Sequence, residues 1–206
     1  MRKRARQESA FLNIPYDRRY ETLYLAFIAG LCAFGLRPRA TIELPSTRRR
    51  LERIVDLIRG CRYSFHDLSR VQLDRHSPAT PRFNMPFELG LAVGWALGVN
   101  PKHEWFVFES RHHRLEKSLS DLNGTDPHVH DGTAQGVLRG MTNALTRRIH
   151  DPNLEELEAI YRDLSKAARK VRIEMRGGSL FEARPFRYLV FVARELAQNR
   201  VSTLRS

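Results

Sequence analysis

Short apolar segments alternate with longer segments of helical spacing along residues 1–150. The short segments, each of which predicts a β-strand, are 10–14, 37–44, 61–68, 104–109 and 128–130. The segments between and after them, which predict helices, are 20–34, 48–60, 87–97, 115–123 and 134–149. Strands that are separated by helices usually pair in parallel, with helices on both faces. The alternation therefore predicts an α/β fold with an open, mostly parallel sheet of four or five strands.

A second unit is predicted after this alternation. Asp151, Pro152 and Asn153 interrupt the chain, and helical spacing then continues to about residue 172. Gly177 and Gly178 predict a turn before a last helix at 185–198. We therefore divide the chain into an α/β domain at 1–150 and a C-terminal helical hairpin at 151–206. The hairpin is expected to dock on the sheet domain or to form a homo-oligomer or partner-protein interface.

The composition limits the class of protein. The chain has 206 residues, 42% of them hydrophobic, and this is enough for a sizeable core. A net charge of +12 favours anionic partners but does not select among nucleic acid, lipid and phosphorylated small molecules. Cys32 and Cys61 lie in apolar contexts and are expected to be buried thiols. No apolar run of 18 residues and no signal peptide occurs, so a soluble cytoplasmic protein without a membrane segment is expected.

Glu88 is the most unusual polar residue of the sequence. It lies between Phe87 and Leu89, at the start of an apolar segment that predicts a buried helix. A glutamate in the first turn of a helix is favourable for the helix dipole, so a structural role is one interpretation. Its position after a polar loop favours the other interpretation, a functional carboxylate.

Ligands of open α/β sheets bind beyond the carboxyl ends of the strands. The polar stretches that follow strands one to four, including one at Ser46, should meet there. Together with the loop that precedes Glu88, they give the candidate site residues Asn13, Pro15, Tyr16, Asp17, Asp67, Ser69, Arg82, Phe83, Asn84 and Glu88. Helix caps at Asp17 and Ser69 and a turn at Asp67 are the structural alternatives.

The sequence does not support several other kinds of functional site. The sequence contains neither a G-x-G-x-x-G motif nor a phosphate-binding P-loop. The histidines at 112, 113, 128 and 130 lack the spacing of a zinc site, so no metal is expected. No serine lies in a nucleophile elbow.

The segment Asn84-Met85-Pro86-Phe87-Glu88-Leu89-Gly90 resembles a motif of the TIR-like and nucleoside 2-deoxyribosyltransferase-like group. The loop at 13–17 and the strand end at 67–69 are similar to the same group, and the likeness covers about 120 to 150 residues. The resemblance implies a flavodoxin-like three-layer sandwich with the C-terminal helices added. It also implies cleavage of an N-glycosidic bond in NAD or in a nucleoside, with bacterial defence as the setting.

The resemblance also implies roles for the residues. Glu88 would be the catalytic carboxylate at the anomeric carbon, and Asp67 would hold the base or assist its departure. Tyr16 or Phe83 would stack on a base, and Asn84 and Ser69 would bind ribose hydroxyls. Arg82 stands where deoxyribosyltransferases often carry an acidic residue, which favours a phosphorylated substrate such as NAD. NAD is then a substrate, and no cofactor is expected.

Two alternatives remain open at the level of the sequence. The same fold could serve as a non-catalytic nucleotide-sensing or protein-interaction module. A nucleic-acid-binding protein is the third hypothesis, and it requires the arginines at 48–50 and 147–148 to form one patch.

Overall fold

A computed structural model of the protein describes residues 8–44, 49–71, 80–146 and 151–203. Ser46, Arg48 and the arginines at 147 and 148 lie outside the described residues. The strands are β1 Ser9–Asn13, β2 Arg37–Arg39, β3 Tyr63–Asp67, β4 Glu104–Glu109 and β5 His128–Val129. The helices are α1 Glu21–Ala33, α2 Arg50–Gly60, α3 Asn84–Gly98, α4 Arg114–Ser118, α5 Ala134–Ala144, α6 Leu154–Glu174 and α7 Ala183–Thr203.

All five strands form one parallel sheet in the order β2-β1-β3-β4-β5. This is the flavodoxin-like strand order, and the predicted α/β class is confirmed. The sheet order changes direction between β1 and β3, because β2 lies on one side of that pair and β4 on the other. A crevice therefore opens between the carboxyl ends of β1 and β3.

Alternating strand residues pack against different helices. Leu12 and Phe65 belong to the core that contains α1 and α5, whereas Phe11 packs with Ile54 of α2 and Ala92 of α3. The side-chain period of two thus sends successive residues of β1 to opposite layers. Cys32 and Cys61 are both buried and free, as predicted.

Helices α6 and α7 form a further layer outside α1. Leu164 of α6 and Leu189 of α7 share a core with Phe27 and Leu31 of α1. Every residue from Leu23 to Ala33 is buried. An α-helix that is apolar on all sides needs cover on all sides, and the C-terminal hairpin covers the side of α1 away from the sheet.

Two predicted elements differ in their bounds near the crevice. Strand β2 ends at Arg39, because the Glu43 side chain accepts hydrogen bonds from Ala40 N and from Arg39 and closes a 3-10 turn at Thr41–Glu43.

Helix α3 begins at Asn84, three residues earlier than predicted. Pro86 is tolerated in the first turn, where its missing N–H has no partner within the helix. Glu88 therefore lies in the second turn and not in the first.

The prediction that α3 is a buried helix is wrong for one of its faces. Leu89 and Ala92 are buried, but Phe87 is 54% exposed and Leu97 is 79% exposed. Residues 87–97 are apolar apart from Glu88, so the sequence did not distinguish the buried side from the exposed one.

Candidate functional site

A cavity of about 250 Å³ lies in the crevice between β1 and β3. Its floor and walls come from the segment after β1, the turn after β2, the start of α2 and the first two turns of α3. The lining residues are Asn13, Ile14, Pro15, Tyr16, Thr41, Arg50, Arg82, Asn84, Met85 and Glu88. Six of the ten predicted site residues are thus brought together: Asn13, Pro15, Tyr16, Arg82, Asn84 and Glu88.

Glu88 is the single carboxylate among the described residues that line this cavity. The residue is 5% exposed, and Arg50 Nη2 lies 3.9 Å from its Oε1. Burial raises the pKa of Glu88 to about 7, and Arg50 opposes that rise only in part. The group therefore exchanges its proton near neutral pH, where an ordinary glutamate is fully ionised.

Asn13 fixes the position of α3 over the sheet. Its side-chain amide donates one hydrogen bond to His66 Nδ1 at 2.9 Å and another to the Met85 carbonyl at 2.8 Å. Burial lowers the pKa of His66 to about 3, so the ring is neutral and its Nδ1 can accept. Both amide hydrogens of Asn13 are used, so its side chain has no donor left for a ligand.

Tyr16 is another residue that lines the cavity. Its hydroxyl lies 3.1 Å from Thr41 Oγ1, in the turn that replaces the end of the predicted second strand. Burial raises the pKa of Tyr16 to about 12, against a smaller opposing effect of the Thr41 hydroxyl. The phenol stays protonated at neutral pH and is a weak acid.

Two arginines bring positive charge to the mouth of the cavity. The side chains of Arg50 and Arg82 are more exposed than the Glu88 carboxylate that shares the cavity with them. Asp17 does not line the cavity, but its Oδ2 lies 3.6 Å from Arg82 Nη1 and 3.4 Å from Arg70 Nη2. Asp17 also caps the turn at Arg18–Tyr20 by accepting from Arg19 N, so its predicted structural role is observed.

Asp67 and Ser69 lie away from the cavity. Because His66 and Asp67 are adjacent strand residues, their side chains point to opposite faces of the sheet. Asp67 is fully buried, accepts from the Tyr20 hydroxyl and from Ser69 N, and has His130 Nε2 at 3.1 Å. The turn role considered for Asp67 is therefore observed, and its contacts are with the protein.

Phe83 is the last of the predicted site residues and does not line the cavity. It precedes the first residue of α3 and is 65% exposed. Its ring is therefore part of the outer surface of the helix start.

Thr41 and Arg50 line the cavity but are not among the residues that the sequence predicts for the site. The sequence pattern predicts Thr41 inside a strand, although a residue just after β2 lies at the same sheet edge as Asn13. In the sequence, Arg50 is part of the arginine run at 48–50. Its position at the first residue of α2, a helix that follows β2, is the signal that identifies it.

The histidines do not assemble a metal site in the part of the chain that the structure describes. There, no group of three or more His, Cys, Asp or Glu side chains is arranged to hold a metal ion. His112, His113 and His128 line a separate cavity of about 450 Å³ beside β5.

Comparisons of the chain with protein-family models, with curated proteins and with solved structures gave no match. Among the described residues, no helix is long and apolar enough to cross a bilayer.

Proposed function

We propose that this protein cleaves the N-glycosidic bond of NAD or of a related nucleotide, with Glu88 as the carboxylate that reacts at the anomeric carbon. The observation that carries the proposal is the position of Glu88. A buried carboxylate with a pKa of about 7 lines a cavity at the switch point of the sheet, with Arg50 and Arg82 beside it. The resemblance of residues 84–90 to a motif of the TIR-like and nucleoside 2-deoxyribosyltransferase-like group supports the same chemistry.

The cavity dimensions suit part of a dinucleotide. A volume of about 250 Å³ is slightly below the roughly 300–1,000 Å³ typical of sites that enclose a drug-sized ligand. One nucleoside half of NAD would therefore occupy the cavity, and the phosphates would lie toward its mouth. Arg50 and Arg82 supply the guanidinium groups that bind phosphate oxygens.

A single carboxylate can carry out the reaction in two displacements. Glu88 attacks C1′ of the ribose, the bond from C1′ to the ring nitrogen breaks, and the bonding electrons stay on that nitrogen. Water then attacks C1′, the ester bond to Glu88 breaks, and one proton is released. Each displacement passes through an oxocarbenium-like state that the nearby carboxylate stabilises.

The absence of a second carboxylate among the described cavity residues favours NAD over a nucleoside. Nicotinamide departs from NAD as a neutral molecule and needs no proton, because its ring nitrogen begins with a positive charge. The neutral base of a nucleoside needs a general acid. Tyr16, with a pKa of about 12, is poorly suited to that task.

A substrate panel tests the proposal. Purified full-length protein is incubated with NAD, NADH and adenosine, and the products are separated by chromatography. We expect free nicotinamide from NAD and no cleavage of NADH or adenosine, because neither has a cationic leaving group. Binding of NAD in a calorimeter with all of it recovered intact would overturn the proposal and favour a nucleotide sensor.

A further inference from the structure

Helix α3 is apolar on its exposed face as well as on its buried one. Its exposed residues include Phe87, Gly90, Gly94 and Leu97, which recur at spacings of three and four. These exposed residues form a stripe along the helix, and the stripe begins at Phe83, directly before the first residue of α3. No exposed residue of α3 carries a charge, in a chain with 35 Lys and Arg and 23 Asp and Glu. Exposed apolar helix faces of this length mark interaction sites.

Helix α1 shows that a helix with apolar residues on all sides needs other elements to cover every side. It is also apolar on all sides, and α6 and α7 cover the side that the sheet does not. Among the described residues, nothing covers the corresponding side of α3. An additional layer of protein is therefore expected on this face too.

The surface of α3 is self-complementary in shape. Its N-terminal half presents the rings of Phe83 and Phe87, whereas the C-terminal half presents Gly94 and Gly98. A Cβ atom added at either glycine would have no atom within 4 Å, so there is open space beside both glycines, which we call the Gly94 groove. When two copies of α3 run antiparallel about a two-fold axis near Gly90, Phe87 of each copy meets Gly94 of the other.

The charges indicate where on the surface a second copy can dock. Two chains of net charge +12 repel each other over most of their surface, and they approach with least repulsion along an uncharged strip. Tyr188 and Phe191 on α7 are also exposed, but Arg187 and Glu195 interrupt that face. The C-terminal hairpin, where the sequence predicted an interface, is thus the less suitable surface.

We infer that the protein forms a two-fold symmetric homodimer through antiparallel α3 helices, with Phe87 packed into the Gly94 groove of the partner copy. The interface is isologous, so each ring fills the groove of the other copy. One helix pair buries less area than a standard interface of about 800 Å² per partner, and Kd is therefore expected in the micromolar range. This inference is independent of the proposed activity.

Sedimentation of the full-length protein tests the association. We expect the mass to change from one chain to two between about 1 and 100 μM. Gly94→Glu places a charged side chain in the groove and should leave only monomer. The exposed position and the gain in helix propensity should preserve the fold, which a thermal melt checks. Phe191→Glu is the matched control and should still form the dimer.

Disulfide trapping tests the register. Phe87→Cys mixed with Gly94→Cys should give a cross-linked pair in mild oxidant, and either variant alone should give far less. Cys32 and Cys61 are buried and should not interfere. A wild-type protein that stays monomeric throughout would overturn the inference. So would a dimer that persists in Gly94→Glu or that cross-links as readily in each single variant as in the mixture.

Discussion

The Glu88 carboxylate lies 3.9 Å from the Arg50 guanidinium, and its pKa is nevertheless about 7. Burial opposes ionisation more strongly than this one cation favours it, because Arg50 is largely solvated whereas Glu88 is enclosed. The folded protein therefore holds a carboxylate that costs stability when ionised. The proposed catalytic role of Glu88 would account for such a cost.

Replacing Glu88 with glutamine should stabilise the protein in a pH-dependent way. The pKa is raised from 4.5 to about 7 in the folded state. Below pH 4.5, Glu88 is protonated in both the folded and the unfolded protein, so its burial costs no stability through ionisation. Between pH 4.5 and pH 7, Glu88 ionises in the unfolded protein but not in the folded one, so the free energy of unfolding falls as the pH rises. Above 7 the full cost of about 3 kcal/mol is present.

Urea unfolding at about pH 5 and about pH 8.5 measures this difference. Glu88→Gln should be more stable than the wild type by about 3 kcal/mol at the higher pH and by much less at the lower pH. The exposed Glu52 provides the control, and Glu52→Gln should change little at either pH. Equal effects of the Glu88 substitution at both pH values would contradict the raised pKa.

Arg50 and Arg82 should have separable effects on the reaction. Arg50 lowers the pKa of Glu88, so Arg50→Ala should move the pH dependence of cleavage to higher pH. Arg82 is not among the groups that shift this pKa, and Arg82→Ala should raise KM for NAD without moving the pH profile. Steady-state kinetics across pH checks both effects. Identical pH profiles of the two variants would contradict the assignment.

Asn13 should contribute to stability through its two buried hydrogen bonds. Asn13→Ala leaves His66 Nδ1 and the Met85 carbonyl without their donor, at a cost of about 2 kcal/mol. Urea denaturation measures the loss. The exposed Asn84 lines the same cavity and serves as control, since Asn84→Ala should cost less than about 0.5 kcal/mol. Similar losses in both variants would argue against a special role of Asn13.

Gly136 should tolerate no side chain. A Cβ atom there would lie 2.1 Å from the His130 carbonyl oxygen, so backbone must move. Gly136→Ala should therefore destabilise the protein by about 2 kcal/mol or more, although alanine favours helix. Gly60, also helical, has open space around it, and Gly60→Ala should not destabilise. A neutral Gly136→Ala would show that α5 packs differently against residue 130.

The sequence predicted the class of fold well because periodicity is a local signal. The apolar segment at 104–109 predicts β4 with the bounds that are observed. The helical spacing at 20–34 predicts α1 to within one residue at each end. Two features of the fold depend on packing between elements, and periodicity does not predict them. The turn at Thr41–Glu43 depends on contacts of the Glu43 side chain, and the exposed face of α3 depends on which neighbours are present.

The candidate site was predicted in part for the same reason. Strand order brings Asn13 and Glu88 together, and the rule for open sheets anticipates that. The rule does not state which face of the sheet a residue occupies. A shift of one residue along β3 separates His66, under α3, from Asp67, which contacts Tyr20.

The rate of nicotinamide release from NAD by Glu88→Gln, relative to the wild type, tests the central claim most directly. Glutamine keeps the size of the side chain and removes the negative charge that the reaction requires. We expect the rate at about pH 8 to fall at least about 100-fold, while Glu52→Gln keeps the wild-type rate. Release by Glu88→Gln at the wild-type rate would contradict the account.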